Sequence, residues 1–157
     1  MRKRTINQDS QEVSPANRHW LNLDALAQVE VTSEDAAHPI ESGLLRGTES
    51  GWRARQPGPQ TVRLVFDQPL RITCMHLEFH EENMERTQQF VLRWSSNSGQ
   101  SYQEIVRQQY NFSPPVTTSE CEDYDVDLVG VTTLELNIIP DISGGPARAS
   151  LAQLRLE

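Results

Sequence analysis

Long apolar runs and cysteines are both scarce in this sequence of 157 residues. No segment approaches the roughly 18 consecutive apolar residues of a membrane span. The first twenty residues are basic and then polar, without the apolar segment of a secretory signal. The two cysteines, Cys74 and Cys121, fit a compartment in which thiols stay reduced. We therefore expect a cytoplasmic protein that does not bind membranes.

Motifs typical of enzymes are missing as well. The sequence contains no Gly-x-Ser-x-Gly nucleophile elbow, no phosphate-binding glycine loop and no His-Glu-x-x-His zinc motif. Its four histidines are dispersed: His19, His38, His76 and His80. The sequence therefore favours a binding protein that needs no cofactor over an enzyme.

Positive charge is scarce outside the N-terminal segment. The first 18 residues contain four basic and two acidic side chains. The rest of the chain therefore contains 10 basic and 20 acidic side chains. Such an acidic body repels a phosphate backbone, so we expect no direct binding to duplex DNA. Lys3 is the single lysine, and the other thirteen basic residues are arginines, whose planar guanidinium suits carboxylates and sugar hydroxyls.

Short runs of alternating apolar and polar residues dominate the chain. A period of two is typical of strands with one buried face, and turns rich in Gly, Pro, Ser and Asn separate the runs. The runs are 28–32, 61–66, 72–79, 89–95, 134–139 and 150–156, with weaker ones at 102–107 and 124–128. No amphipathic helix of ten or more residues is apparent. The pattern predicts an all-β fold, an antiparallel eight-stranded jelly-roll β-sandwich.

Residues 1–19 lack such a period and are rich in Asn, Gln, Ser and Arg. We interpret them as a flexible basic and polar tail. Residues 20–157 then form one domain, which is long enough to bury a sizeable core without disulfides or metals. Trp52 and Trp94 are expected to pack in that core.

Three blocks of sequence occur in a characteristic order. The first is 31–45 (VTSEDAAHPIESGLL) followed by Gly51-Trp-Arg-Ala54, the second is 89–95 (QFVLRWS), and the third is 133–140 (TLELNIIP) followed by 149–156. This order resembles the discoidin, or coagulation-factor type C, family, which implies a galactose-binding-like jelly roll for residues 20–157. The first block is also similar to the amino-terminal domain of the scaffold protein of single-strand-break DNA repair.

The resemblance implies ligand binding through loops at one end of the sandwich. Three polar loops are predicted, at 33–51, 81–88 and 108–118. A sugar site needs planar hydrogen-bonding groups and an aromatic face for the ring. The loops supply both types, and the predicted ligand-binding residues are His38, Arg46, Glu82, Arg86, Tyr110, Asn111 and Phe112. The first hypothesis is therefore a non-catalytic module that recognises a carbohydrate.

Two other functions remain open at this point. The likeness to the DNA-repair scaffold implies a domain that binds a protein partner instead of a sugar. A metal-dependent enzyme is the third possibility, since Cys74, His76, Glu78 and His80 share one face of a predicted strand, with a spacing of roughly 6.5–7 Å. Cys, His and Glu side chains are the ligands that zinc prefers, although the same pattern is typical of a polar outer face.

Overall fold

Eight strands and two short helices form the described part of the chain. The computed structural model describes residues 19–45 and 50–157, so the predicted tail lies outside the described residues except for His19. The elements are α1 (Leu23–Leu26), β1 (Ala27–Val31), α2 (Glu41–Leu44), β2 (Trp52–Arg53), β3 (Gln60–His80), β4 (Arg86–Ser95), β5 (Gln103–Phe112), β6 (Ser119–Ile139), β7 (Ser150–Leu151) and β8 (Gln153–Leu156). In this part of the chain, no helix has the length and apolar character needed to cross a membrane.

The two longest strands, β3 and β6, contribute to both layers of the sandwich. Near residue 62 they lie in a five-stranded antiparallel layer with the order β1-β3-β6-β4-β5. Their pairing register shifts between Val65 and Cys74, and such irregularities bend strands. Beyond the shifts they pair with each other again, and β3 also pairs with β8. This arrangement is the predicted antiparallel jelly-roll sandwich.

The core lies between these layers and follows the alternation of the sequence. Val62, Leu64 and Phe66 of β3 are buried, and their polar neighbours lie on the opposite face, as a period of two requires. Phe79 in one layer stacks on Phe90 in the other, with ring centroids 5.2 Å apart. The predicted burial of Trp52 is confirmed, since it is 1% exposed.

The structure differs from the predicted pattern at three places in β3. Thr73 was expected on the inner face but is exposed, and Cys74 and His76 were expected on the outer face but are buried. The register shift between Ile72 and Cys74 explains the errors at Thr73 and Cys74, because one irregular step breaks the period of two. No disulfide joins the buried Cys74 and the exposed Cys121.

Candidate functional site

A depression opens where two loops meet a two-stranded ribbon formed by β2 and β7. It has a volume of about 360 Å³, within the range of roughly 300–1,000 Å³ of small-molecule sites. We call it the loop depression, and its lining consists of His38 and residues 50–53, 80–84, 146–148 and 150–152. Two of the three predicted loops therefore contribute to it, together with the segment that follows β6.

The ribbon forms the floor of the loop depression. Trp52 pairs with Leu151, and its indole Nε1–H donates to the Ser33 carbonyl at 3.1 Å. Gly51 adopts φ 67°, and a Cβ at this position would lie 2.9 Å from the Leu151 carbonyl oxygen. Glycine is therefore required where the chain enters the floor. The buried indole supports the site from below and offers no face to a ligand.

Backbone hydrogen bonds hold the first loop beside the ribbon. The Arg53 N–H donates to the His38 carbonyl at 3.1 Å, and the Asp35 N–H donates to the Arg53 carbonyl at 2.9 Å. These bonds place the half-buried His38 imidazole next to the exposed Arg53 side chain at the rim.

The loop after β3 forms the opposite wall. Glu82 and Asn83 are exposed there, and the Asn83 N–H donates to Glu81 Oε2 at 3.2 Å. Burial raises the pKa of the Glu81 carboxyl, but hydrogen bonds from Arg86 and the backbone outweigh this effect and leave the pKa below its usual range. The ionised Glu81 thereby fixes the loop, and Glu82 and Asn83 stay exposed at the loop depression.

The predicted site residues do not form one cluster. His38 and Glu82 both line the loop depression. Arg46 lies outside the described residues. Arg86, Asn111 and Phe112 line a separate surface together with residues 85, 87, 113, 141 and 143. The three predicted loops therefore do not converge on a single site.

Arg86 was predicted to be an exposed loop residue, and this placement is wrong. It begins β4 and is 3% exposed. Its Nε donates to Glu81 Oε1 at 2.7 Å, and its Nη1 donates to the Pro140 carbonyl at 2.8 Å and to Gln88 Oε1 at 3.2 Å. The guanidinium also lies 4.6 Å from the centre of the Phe112 ring. These contacts make Arg86 a structural side chain.

The predicted loop at 108–118 is shorter than expected, because β5 continues to Phe112. Phe112 is fully buried. The Tyr110 hydroxyl donates to the Ser119 carbonyl at 2.8 Å, and Asn111 Oδ1 accepts a hydrogen bond from Thr87 at 2.7 Å. The placement of these predicted ligand residues in a loop is therefore wrong, and their polar groups link neighbouring strands.

The face proposed for metal binding contains a hydrogen-bonded histidine. His76 is buried, with Nδ1 2.7 Å from Asp123 Oδ1 and Nε2 2.9 Å from Glu78 Oε1. Both ring nitrogens are occupied, and Cys74 is only 2% exposed. Within residues 19–45 and 50–157, no group of three His, Cys, Asp or Glu side chains has the arrangement of a metal site.

Arg53 and Arg148 are two lining residues that sequence reasoning missed. Both are exposed at the loop depression. The alternation of Trp52, Arg53 and Ala54 predicts that Arg53 faces outward. Nothing in the sequence indicates that β2 pairs with β7, near the opposite end of the chain, and this pairing brings Arg148 to the same site.

The sequence matches no family model and no curated protein, but solved structures share the fold. The family 32 carbohydrate-binding module of C. perfringens NanJ, in complex with galactose, has a TM-score of 0.64 and 12% identity, over 87% of this chain and 96% of that chain. The family 32 module of AlyQ, in complex with 4,5-unsaturated mannuronic acid, has a TM-score of 0.63 and 12% identity, over 89% and 98%. An F5/8 type C domain from Bacteroides fragilis has a TM-score of 0.62 and 12% identity, over 90% and 97%.

The fold is therefore the jelly-roll β-sandwich that these solved domains share, as the ordered sequence blocks predict. The likeness to the DNA-repair scaffold stays a prediction.

Proposed function

We propose that this chain is a non-catalytic carbohydrate-binding module and that the loop depression is its binding site. The observation that carries the proposal is a polar depression, formed by loops, on a fold shared with modules solved in complex with galactose and with an unsaturated mannuronic acid. The buried and hydrogen-bonded state of His76 favours a structural role for the alternative metal face.

The exposed groups of the loop depression suit the hydroxyls of a sugar. Glu82 offers carboxylate acceptors, Asn83 offers an amide donor and acceptor, and His38 offers an imidazole. A sugar presents adjacent hydroxyls that both donate and accept, so groups of both kinds on facing walls match it. The fixed backbone around His38 and Glu81 reduces the ordering that binding requires.

Weak binding follows from the lack of an aromatic platform. Among the described residues that line the loop depression, Trp52 is the only Trp, Tyr or Phe. It is only 1% exposed, so its ring cannot stack on a sugar. A monosaccharide has about 12 non-hydrogen atoms, and at about 0.3 kcal/mol per atom its binding free energy is about −4 kcal/mol. This value corresponds to a dissociation constant of about 1 mM, so a longer oligosaccharide or several linked modules are needed for tight attachment.

Replacing Asn83 by alanine is expected to weaken sugar binding roughly 3- to 10-fold, the usual effect of one lost hydrogen bond. The folding stability should change by less than about 0.5 kcal/mol, because Asn83 is an exposed loop residue. Titration of a monosaccharide panel, followed by NMR, measures the affinity in this range.

The matched control is Asn111→Ala, which removes another exposed asparagine, on β5 and away from the loop depression. It should bind sugar as the unmodified protein does. Loss of binding in Asn111→Ala with normal binding in Asn83→Ala would place the site at the separate surface near Arg86.

A further inference from the structure

Most arginines in the described part of the chain have partners. Five form ion pairs with carboxylates: Arg63, Arg71, Arg86, Arg93 and Arg107. Arg155 donates to backbone carbonyls. The other three, Arg53, Arg55 and Arg148, form no side-chain hydrogen bond or ion pair with any residue in 19–45 and 50–157.

Two of these arginines, Arg53 and Arg148, lie at or next to the ribbon formed by β2 and β7. Arg53 pairs with Ser150 across the ribbon. The buried residues beside them are Trp52, Ala54, Ala149 and Leu151. Because side chains alternate along a strand, Arg53 lies on the outer face of the ribbon, and Arg148, two residues before β7, is exposed as well. We call Arg53 and Arg148 the arginine face, because both line the loop depression.

The arginine face carries two positive charges that have no carboxylate partner among the described residues. This chain has 22 acidic residues with a net charge of −8, so carboxylate partners are not scarce. An anionic ligand would supply the missing partner. Guanidinium forks form paired, charge-assisted hydrogen bonds with planar carboxylates.

The opposite wall of the loop depression, formed by the loop after β3, limits which anions can bind there. Glu82 is exposed there and repels a ligand that is negative on all sides, such as free phosphate or sulfate. A sugar with one carboxylate meets both walls, with its acid group at the arginines and its hydroxyls at Glu82 and Asn83.

We infer that the loop depression selects acidic sugars and that Arg53 and Arg148 bind the carboxylate of a uronic acid. This inference rests on the proposed function, since it names the class of sugar for the same site.

Matched pairs of sugars test the carboxylate directly. Galacturonic acid and galactose, glucuronic acid and glucose, and mannuronic acid and mannose differ within each pair at C6 only. At low ionic strength, the acid of at least one pair should bind tenfold or more tightly than its neutral partner, as expected for a charge-assisted contact. The preference should shrink in 0.5 M salt because screening weakens exposed charges.

For the unmodified protein and each variant, we compare the affinity for the uronic acid with the affinity for its neutral partner. Arg53→Ala and Arg148→Ala should each lose most of the preference for the acid. Arg71→Ala is the matched control, because Arg71 is exposed but paired with Asp127 in β6, and it should keep the preference. Thermal melting confirms that the variants are folded.

Each remaining outcome is decisive. If neutral sugars bind and the acids bind no more tightly, the inference is wrong and the proposed function stands. If no member of any pair binds, the proposed function is wrong, and the inference fails with it. If inorganic sulfate displaces the uronic acid at equal concentration, the arginine face is a general anion site and selection for a sugar acid is refuted.

Discussion

Replacing Arg86 by alanine is expected to lower the free energy of unfolding by about 3–5 kcal/mol, as usual when one partner of a buried ion pair is removed. The substitution leaves Glu81, Gln88 and the Pro140 carbonyl without their donor and removes the cation from the Phe112 ring. Urea denaturation measures the change.

Arg107→Ala is the matched control for this prediction. Arg107 is exposed and pairs with Glu104 at the surface, where an ion pair contributes less than about 1 kcal/mol. An Arg86→Ala protein with unchanged stability but lost sugar binding would restore Arg86 as a ligand residue.

Replacing Glu120 by glutamine is expected to change the pH dependence of stability. Glu120 is 1% exposed, and Gln88 Nε2 donates to its Oε1 at 3.1 Å. Burial, together with the neighbouring Glu122 carboxylate, raises the pKa of Glu120 to about 8. The side chain is therefore protonated in the folded protein at pH 7, and glutamine imitates this neutral form.

The direction of the pH dependence follows from the number of protons that the folded and unfolded chains bind. Above pH 4.5 the unfolded chain has released the Glu120 proton, whereas the folded chain keeps it until about pH 8. The contribution of Glu120 to the free energy of unfolding therefore falls as the pH rises from 4.5 to about 8. The stability advantage of Glu120→Gln over the unmodified protein should grow by roughly 3 kcal/mol between pH 5 and pH 8, at 1.36 kcal/mol per pKa unit.

Denaturation of both proteins at pH 5 and pH 8 tests this prediction. Glu82→Gln is the control, because it makes the same substitution at an exposed glutamate. Glu81 and Glu135 have lowered pKa values, so their stabilising effects are lost only below pH 4.5. A constant difference between Glu120→Gln and the unmodified protein across this range would show that Glu120 is ionised in the folded state.

The strands could be predicted because burial on one face leaves a period of two in the sequence. The run 61–66 and the run 134–139 pair within β3 and β6, and the predicted inner positions of both runs are buried. The prediction failed at Thr73 and Cys74, since a register shift depends on how two distant strands align. No local pattern reports such an alignment.

The site could be predicted only in part for a related reason. His38 and Glu82 belong to polar segments that are true loops. Arg86 stands in an equally polar segment, but its burial depends on Glu81 and on Phe112 from another strand. Arg53 and Arg148 meet through the pairing of β2 with β7. Polarity marks candidate loops, whereas the pairing of distant strands decides which loops share a site.

The central claim is that the loop depression binds sugar, and mapping of backbone amide shifts tests it most directly. Titration of the ¹⁵N-labelled protein with the six sugars of the matched pairs should shift amides of residues 50–53, 80–84 and 147–152, and leave those of residues 103–112 in β5 unchanged. Shifts confined to residues 85–87 and 111–113, or no shift with any of the sugars at concentrations well above 1 mM, would contradict the account.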